Sequence, residues 1–324
     1  MSHAPLPPLR LERLDDHPGL PSGPRADPSG DALWRAVFRE DGLATYALLD
    51  AGRVPGLVET LEGAGLPHRC LYRGDARRDL GEAAPWLVAL APGADLARRL
   101  LTGGPAPFHL WDRAPGILLR AEGGLDAVVA HLRRLTKLRD GEAWTFFRFW
   151  EPAVLEAYLA GLDDRPEAGW RWFGGREGAR IAELLLPRPE RDALTRVTAA
   201  ACPARPVGPL VLEERDRARI AAARTELRLD RMERLLRDTF PDLPPPEPLP
   251  RLVRRTVSRG QQFGLLQIDA LFTLCAWELA YGPGFEGRDP EGRIAAILRR
   301  DVDETHKIAL LRARMAELAE GRRA

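Results

Sequence analysis

The chain has 324 residues, 45% hydrophobic and 29% charged, enough for one large or two modest domains that bury their own cores. Lys and Arg (48) nearly balance Asp and Glu (47), so no basic surplus argues for nucleic acid or an anionic membrane. Cys70, Cys202 and Cys275 lie far apart with no CxxC, which speaks against a disulfide framework and for a reducing compartment.

The opening MSHAPLPPLRLERLDDHPG has no apolar signal-peptide core, and residues 1–30, dense in proline, glycine and charge, are expected to form a loose, disordered arm. Asp31 then caps a helix with Leu33, Trp34, Val37 and Phe38 at helical spacing. Alternating units follow. Strands are predicted at 45–50, 68–73, 86–90, 108–111 and 116–120, and helices over 54–61, 94–101 and 125–135. Residues 137–149 read as two strands around a tight Asp140-Gly141 turn, and Pro152 opens a helix to Leu162. The apolar run 181–186 continues this part. It predicts an α+β or α/β N-terminal domain over 31–205, with a mixed sheet flanked by helices.

Beyond it, 206–324 is expected to be an all-helical C-terminal lobe. A long charged helix over 215–240 carries Leu229, Met232, Leu235 and Leu236 as an apolar stripe, and a Pro-rich spacer covers 241–250. Further helices are predicted at 252–259, 265–281, 293–302 and 306–319. The run from Phe263 to Tyr281 is broken by Asp269 and Glu278, so it reads as a buried helix and not as a membrane span. Cytoplasmic residence follows as the expectation.

Catalytic chemistry needs converging nucleophiles, bases or ligands, and the chain offers few. His68 and Cys70 share a strand face and could pair a thiol with a base, or be a buried Cys beside a hydrogen-bonded His. His109 and Asp112 flank Trp111 without a nucleophile nearby. Asp50 ends a strand, the position of many α/β-site carboxylates and equally of turn residues. Gly174-Gly175-Arg176-Glu177-Gly178 is neither of the phosphate-binding glycine patterns. Six scattered histidines without HExxH suggest no metal. No catalytic residue, cofactor or metal is expected; the alternative is a small-molecule enzyme with a site near Asp50, His68 and Cys70.

Aromatic residues gather in the middle of the chain. Trp111, Arg148, Trp150, Trp170, Trp172 and Phe173 are the candidate partner-binding residues, because an arginine flanked by aromatics anchors protein partners well. The same pattern would arise if both sheet faces were covered and Arg148 paired with an acid.

The order of short motifs carries a resemblance: Tyr46-Ala-Leu-Leu-Asp50, Leu66-Pro-His-Arg-Cys-Leu-Tyr72, Ala84-Pro-Trp-Leu-Val-Ala-Leu90, Gly116-Ile-Leu-Leu-Arg120 with its helix to Leu135, and Phe147-Arg-Phe-Trp-Glu-Pro-Ala-Val-Leu155. This series resembles the adaptor, or effector-chaperone, domain of bacterial type VI secretion systems, most clearly over 43–162. Tyr281-Gly-Pro-Gly-Phe285 and the helix holding Lys307 and Ile308 resemble the ending of that family. Pro115-Gly116 replaces an expected Trp-Gly, and Trp150-Glu151-Pro152 an expected Tyr-Asp-Pro. The resemblance implies a non-enzymatic chaperone that binds a secreted toxin effector and loads it onto the spike protein, with no nucleic-acid or membrane partner.

Overall fold

Four apolar runs, Ala44–Asp50, Pro85–Leu90, Gly116–Glu122 and Arg180–Arg188, are strands whose two faces are both covered. The computed structural model describes residues 8–17, 19–20, 28–174, 178–200 and 210–321. It divides into two compact units, Met1–Arg224 and Thr225–Ala324. The strands are β1 (Arg10–Leu14), β2 (Ala44–Asp50), β3 (His68–Cys70), β4 (Pro85–Leu90), β5 (Gly116–Glu122), β6 (Lys137–Asp140), β7 (Ala143–Phe146), β8 (Arg180–Arg188) and β9 (Ala193–Thr198). Seven of them form one sheet in the order β1-β9-β8-β5-β2-β4-β3, while β6 and β7 make a separate hairpin. Every described ladder is antiparallel, which places the unit in the α+β class.

Side chains alternate across this sheet with the strand period of two. Tyr46, Leu48, Ile117, Leu119, Leu184 and Leu186 join one core, which also holds Val128, Leu132, Val154 and Tyr158 from the helices Leu125–Arg133 and Pro152–Leu159. Ala47, Leu49, Val88, Leu118 and Leu185 join the opposite core, under the helices Ala32–Val37, Leu57–Gly63 and Asp95–Leu101. The helices of this part are α1 (Ala32–Val37), α2 (Leu57–Gly63), α3 (Gly74–Leu80), α4 (Asp95–Leu101), α5 (Leu125–Arg133), α6 (Pro152–Leu159) and α7 (Pro166–Trp170). Asp31 caps α1 as predicted, accepting from Leu33 N at 2.8 Å. Continuous apolar runs therefore reflect two buried faces, although the sheet is antiparallel.

Gly116 shows how tightly β2 and β5 approach: a methyl group there would overlap the Leu48 carbonyl oxygen. A charged layer closes one margin of the sheet. Arg120, fully buried on β5, forms a two-pronged pair with Asp41 and also donates to the Arg39 carbonyl at 3.1 Å. That guanidinium holds the Asp41 carboxyl down at about 2, against an ordinary 3.8.

Three sequence expectations change here. Within the supposed loose arm, Arg10–Leu14 is strand β1 and pairs with β9 in the register Arg10↔Thr198; residues 1–7, 18 and 21–27 lie outside the described residues. The strand expected at 108–111 is not formed: Trp111 instead fills the core from a short turn, Trp111–Arg113, that follows Leu110. The break between units falls at Arg224/Thr225 and not at 205/206. The reason is that Leu212 and Ile220 pack into the sheet core, and the buried Asp216 accepts from Arg165 Nη2 at 2.6 Å.

The second unit is helical, as expected. It takes the later turns of α8 (Glu214–Thr239), then α9 (Leu249–Gln262), α10 (Ile268–Tyr281), α11 (Arg293–Arg299) and α12 (Glu304–Gly321). Met232, Leu236, Leu252, Leu274, Leu298 and Leu311 share its core. Two buried carboxylates tie the helices together. Glu278 meets Arg255 at 2.7 Å and also Arg259, and Asp289 meets Arg314 Nη2 at 2.5 Å. No described helix is long and apolar enough to cross a membrane.

Candidate partner-binding surface

Asp50 stands at the end of β2, as the sequence placed it, and its carboxylate is almost fully enclosed. It accepts from Gly52 N at 3.0 Å, from Arg148 Nη2 at 2.7 Å and from Trp150 Nε1 at 3.3 Å. Arg148 also donates through Nε to Glu151 at 2.7 Å, and its guanidinium lies 5.7 Å from the centre of the Trp150 ring. A carboxylate already holding three donors fixes the chain segment 146–152 against the end of β2. It is a clamp, and it leaves little acceptor capacity for a substrate.

The other candidate catalytic groups make their own contacts. His68 Nδ1 lies 2.7 Å from the Leu66 carbonyl, and its ring packs on Trp86. Cys70 is buried, and burial pushes its thiol up, away from reactivity. His109 packs on Phe108, with its Nδ1 enclosed and lacking a hydrogen-bond partner among the described residues. No hydrogen bond joins any two of Asp50, His68, Cys70 and His109 among the described residues. Among the described residues no group of three or more His, Cys, Asp or Glu could hold a metal ion. Cys202 and residues 175–177 of the glycine-rich stretch lie outside the described residues.

The candidate partner-binding aromatics are core residues. Trp111, Trp150, Trp170, Trp172 and Phe173 are each at most 2% exposed. Phe149 and Tyr158 each meet Trp172 edge to face at 5.2 and 5.9 Å, and His131 Nε2 lies 3.1 Å from the Trp172 carbonyl oxygen, to which it donates in the Nε2–H tautomer. Burial lowers the His131 pKa, favouring the neutral ring. These rings hold the domain together and present nothing to a partner. Of the six, only Arg148 reaches solvent.

Three described aromatics stand exposed instead: Phe108, and Trp144 and Phe146 together on the hairpin, 60% and 56% exposed. Asp140 and Ala143 close a two-residue loop, and Gly141 at φ +60° supplies the left-handed conformation that such a loop needs at its first position. Register follows directly: Trp144 faces Arg139 and Phe146 faces Lys137, while Leu138 turns inward and is fully buried. Arg139 N donates to Leu210 O and its carbonyl accepts from Leu212 N, both at 2.8 Å. Its main-chain groups therefore point away from β7. In an antiparallel ladder the residue opposite does the same, so Trp144 and Phe146 aim their N–H and C=O groups outward at the free edge. Lys137 Nζ lies 4.8 Å from the Phe146 ring centre, and Tyr72 supports that ring from below at 6.1 Å.

Sequence reasoning noted the strand but missed this face. The signal was present: a two-residue turn fixes register, and register puts Lys137 and Arg139 opposite the two rings, marking that side as the solvent side.

The helical unit carries a second apolar surface. A groove of about 500 Å³ has Leu229, Met232 and Leu271 in its lining, and Leu235, Leu266 and Ile268 stand exposed along it.

Residues 45–167 match a family described only as a domain of unknown function (DUF4123). The matched segment runs from β2 into α7 and includes Asp50, Arg148, Trp150 and the whole hairpin. No curated protein matches the chain, and no solved structure does.

Proposed function

We propose that this protein is a non-enzymatic cytoplasmic adaptor that binds a type VI secretion effector and loads it onto the spike protein. The observation that carries the reading is one exposed apolar surface on each unit: the Trp144–Phe146 face of the hairpin and the groove beside Leu266. An adaptor has two partners to hold, and exposed apolar patches on a folded chain mark interaction sites. The series of motifs between Tyr46 and Leu155 supports the same reading through its resemblance to the secretion adaptors. The hold of Gly52, Arg148 and Trp150 on Asp50 supports the binding reading over the enzymatic alternative near Asp50, His68 and Cys70.

The test is a pull-down of tagged full-length protein from its native bacterium, with mass spectrometry of co-eluting chains. A toxin and a spike protein are expected together, with Trp144→Ala or Leu266→Ser each losing a partner. Recovery of neither, in cells expressing the secretion apparatus, overturns the proposal.

A further inference from the structure

We infer that the free edge of β7 accepts an extended segment of a partner protein, which adds as a third strand and carries carboxylates that meet Lys137 and Arg139. The inference rests on reading the first unit as a partner-binding module and adds the chemistry of what binds there.

Three observations converge on it. The first is the outward row of main-chain groups at Trp144 and Phe146, two residues apart, which is the spacing at which an added strand pairs. A partner lying across this edge in any other conformation would strip water from those groups without replacing their hydrogen bonds. The second is the identity of the side chains. Free edges are commonly guarded by charge, proline or bulges, whereas this one presents two large rings with most of their surface in water. The third is charge. Arg120, Arg148 and Arg165 are each paired with carboxylates, but no described carboxylate pairs with Lys137 or Arg139. Arg139 Nε donates only to the Gly141 carbonyl at 3.0 Å, and the neighbouring Asp140 is held by Arg217. Two cations beside two rings on an open strand edge favour an extended segment in which apolar and acidic residues alternate. Rings and cations could also stack single-stranded nucleic acid, but that ligand would leave the main-chain row unanswered.

A phage-displayed library of random twelve-residue peptides, selected on the full-length protein, provides the probe. Enriched peptides are expected to alternate apolar residues with Asp or Glu, and the best of them should slow hydrogen exchange at the Trp144 and Phe146 amides. Its affinity should fall about tenfold or more in the Lys137→Glu, Arg139→Glu double variant, whose changes are at the surface. N-methylation at alternate peptide positions should abolish binding, and Trp144→Pro, which removes an outward N–H that the hairpin does not use, should do the same. Absence of enrichment, enrichment without acidic residues, protection elsewhere on the chain, indifference to N-methylation, or displacement by oligo(dT) would each overturn the inference. If the peptide behaves as expected but neither a toxin nor a spike protein is recovered from cells, the adaptor reading fails and the edge site stands. If both partners are recovered but the peptide results are negative, only the edge site falls.

Discussion

Arg148 and Asp50, 98 residues apart in the chain, meet at 2.7 Å, with the aspartate enclosed and the arginine half in water. Arg148 is therefore a structural counter-charge, and its removal strands a buried carboxylate with Trp150 Nε1 and Gly52 N as remaining donors. Arg148→Ala is expected to cost about 1.5–3 kcal/mol, read as a lower urea midpoint. Arg148→Lys should recover only part, because an ammonium cannot reach Asp50 and Glu151 with the fork geometry of a guanidinium. An unchanged midpoint would show that the clamp contributes nothing to stability.

The exposed surfaces should behave in the opposite way. Trp144→Ala and Leu266→Ser remove side chains that are mostly in water, and each should shift stability by less than about 0.5 kcal/mol. Circular dichroism melts would check this, and a large loss would mean that these side chains are packed in solution.

Acid should break the Arg120–Asp41 pair only well below the ordinary carboxylate range. Its folded pKa of about 2 lies below the ordinary value, so the Arg120–Asp41 pair contributes stability above that ordinary value and loses it as pH falls through about 2. The midpoint difference between the natural chain and Asp41→Asn should be constant near neutrality and vanish toward pH 2. The Asp41 carboxylate is 42% exposed, so screening keeps the difference modest. A difference that persists at pH 2 would contradict the pairing.

Thiol chemistry offers a check on both cores. Burial and the nearby Glu278 carboxylate push Cys275 up to about 12, and burial raises Cys70 as well. Iodoacetamide at pH 8 should label both at least about tenfold more slowly in the folded chain than in urea. Fast native labelling of Cys70 would reopen the question of a thiol site on β3.

Gly116→Ala should be severe, because the added methyl meets the backbone of β2, which cannot move without breaking the ladder. A loss of more than about 2 kcal/mol, or of folding altogether, is expected, against less than about 0.5 kcal/mol for Gly93→Ala, which has open space around it. Equal behaviour of the two variants would contradict the close approach.

Much of this architecture is legible in the residues, unevenly so. Strands β2, β4 and β5 and the helices from α8 onward follow from apolar runs and periodic stripes, which are local signals. Strand β1 is not local: its ladder depends on β9, and its proline-dense surroundings hide it. Periodicity placed the aromatics on strand faces but could not say what covers those faces. That depends on Trp170, Trp172 and Phe173 packing back from later in the chain, so Trp150 read as an anchor when it is core. The 108–111 run shows the same limit: Leu110 and Trp111 are buried as the pattern demands, but by a turn.

The pairing of β1 with β9 also bears on how the chain is made. Arg10 is synthesised early, yet the strand it joins ends at Thr198, so β1 has no ladder to enter until most of the first unit has left the ribosome. Leu9 and Leu11, which pack into the sheet core, stay uncovered for that interval. The first described strand therefore takes its place in the sheet only after β9 has been made, a long-range pairing of the kind that slows folding.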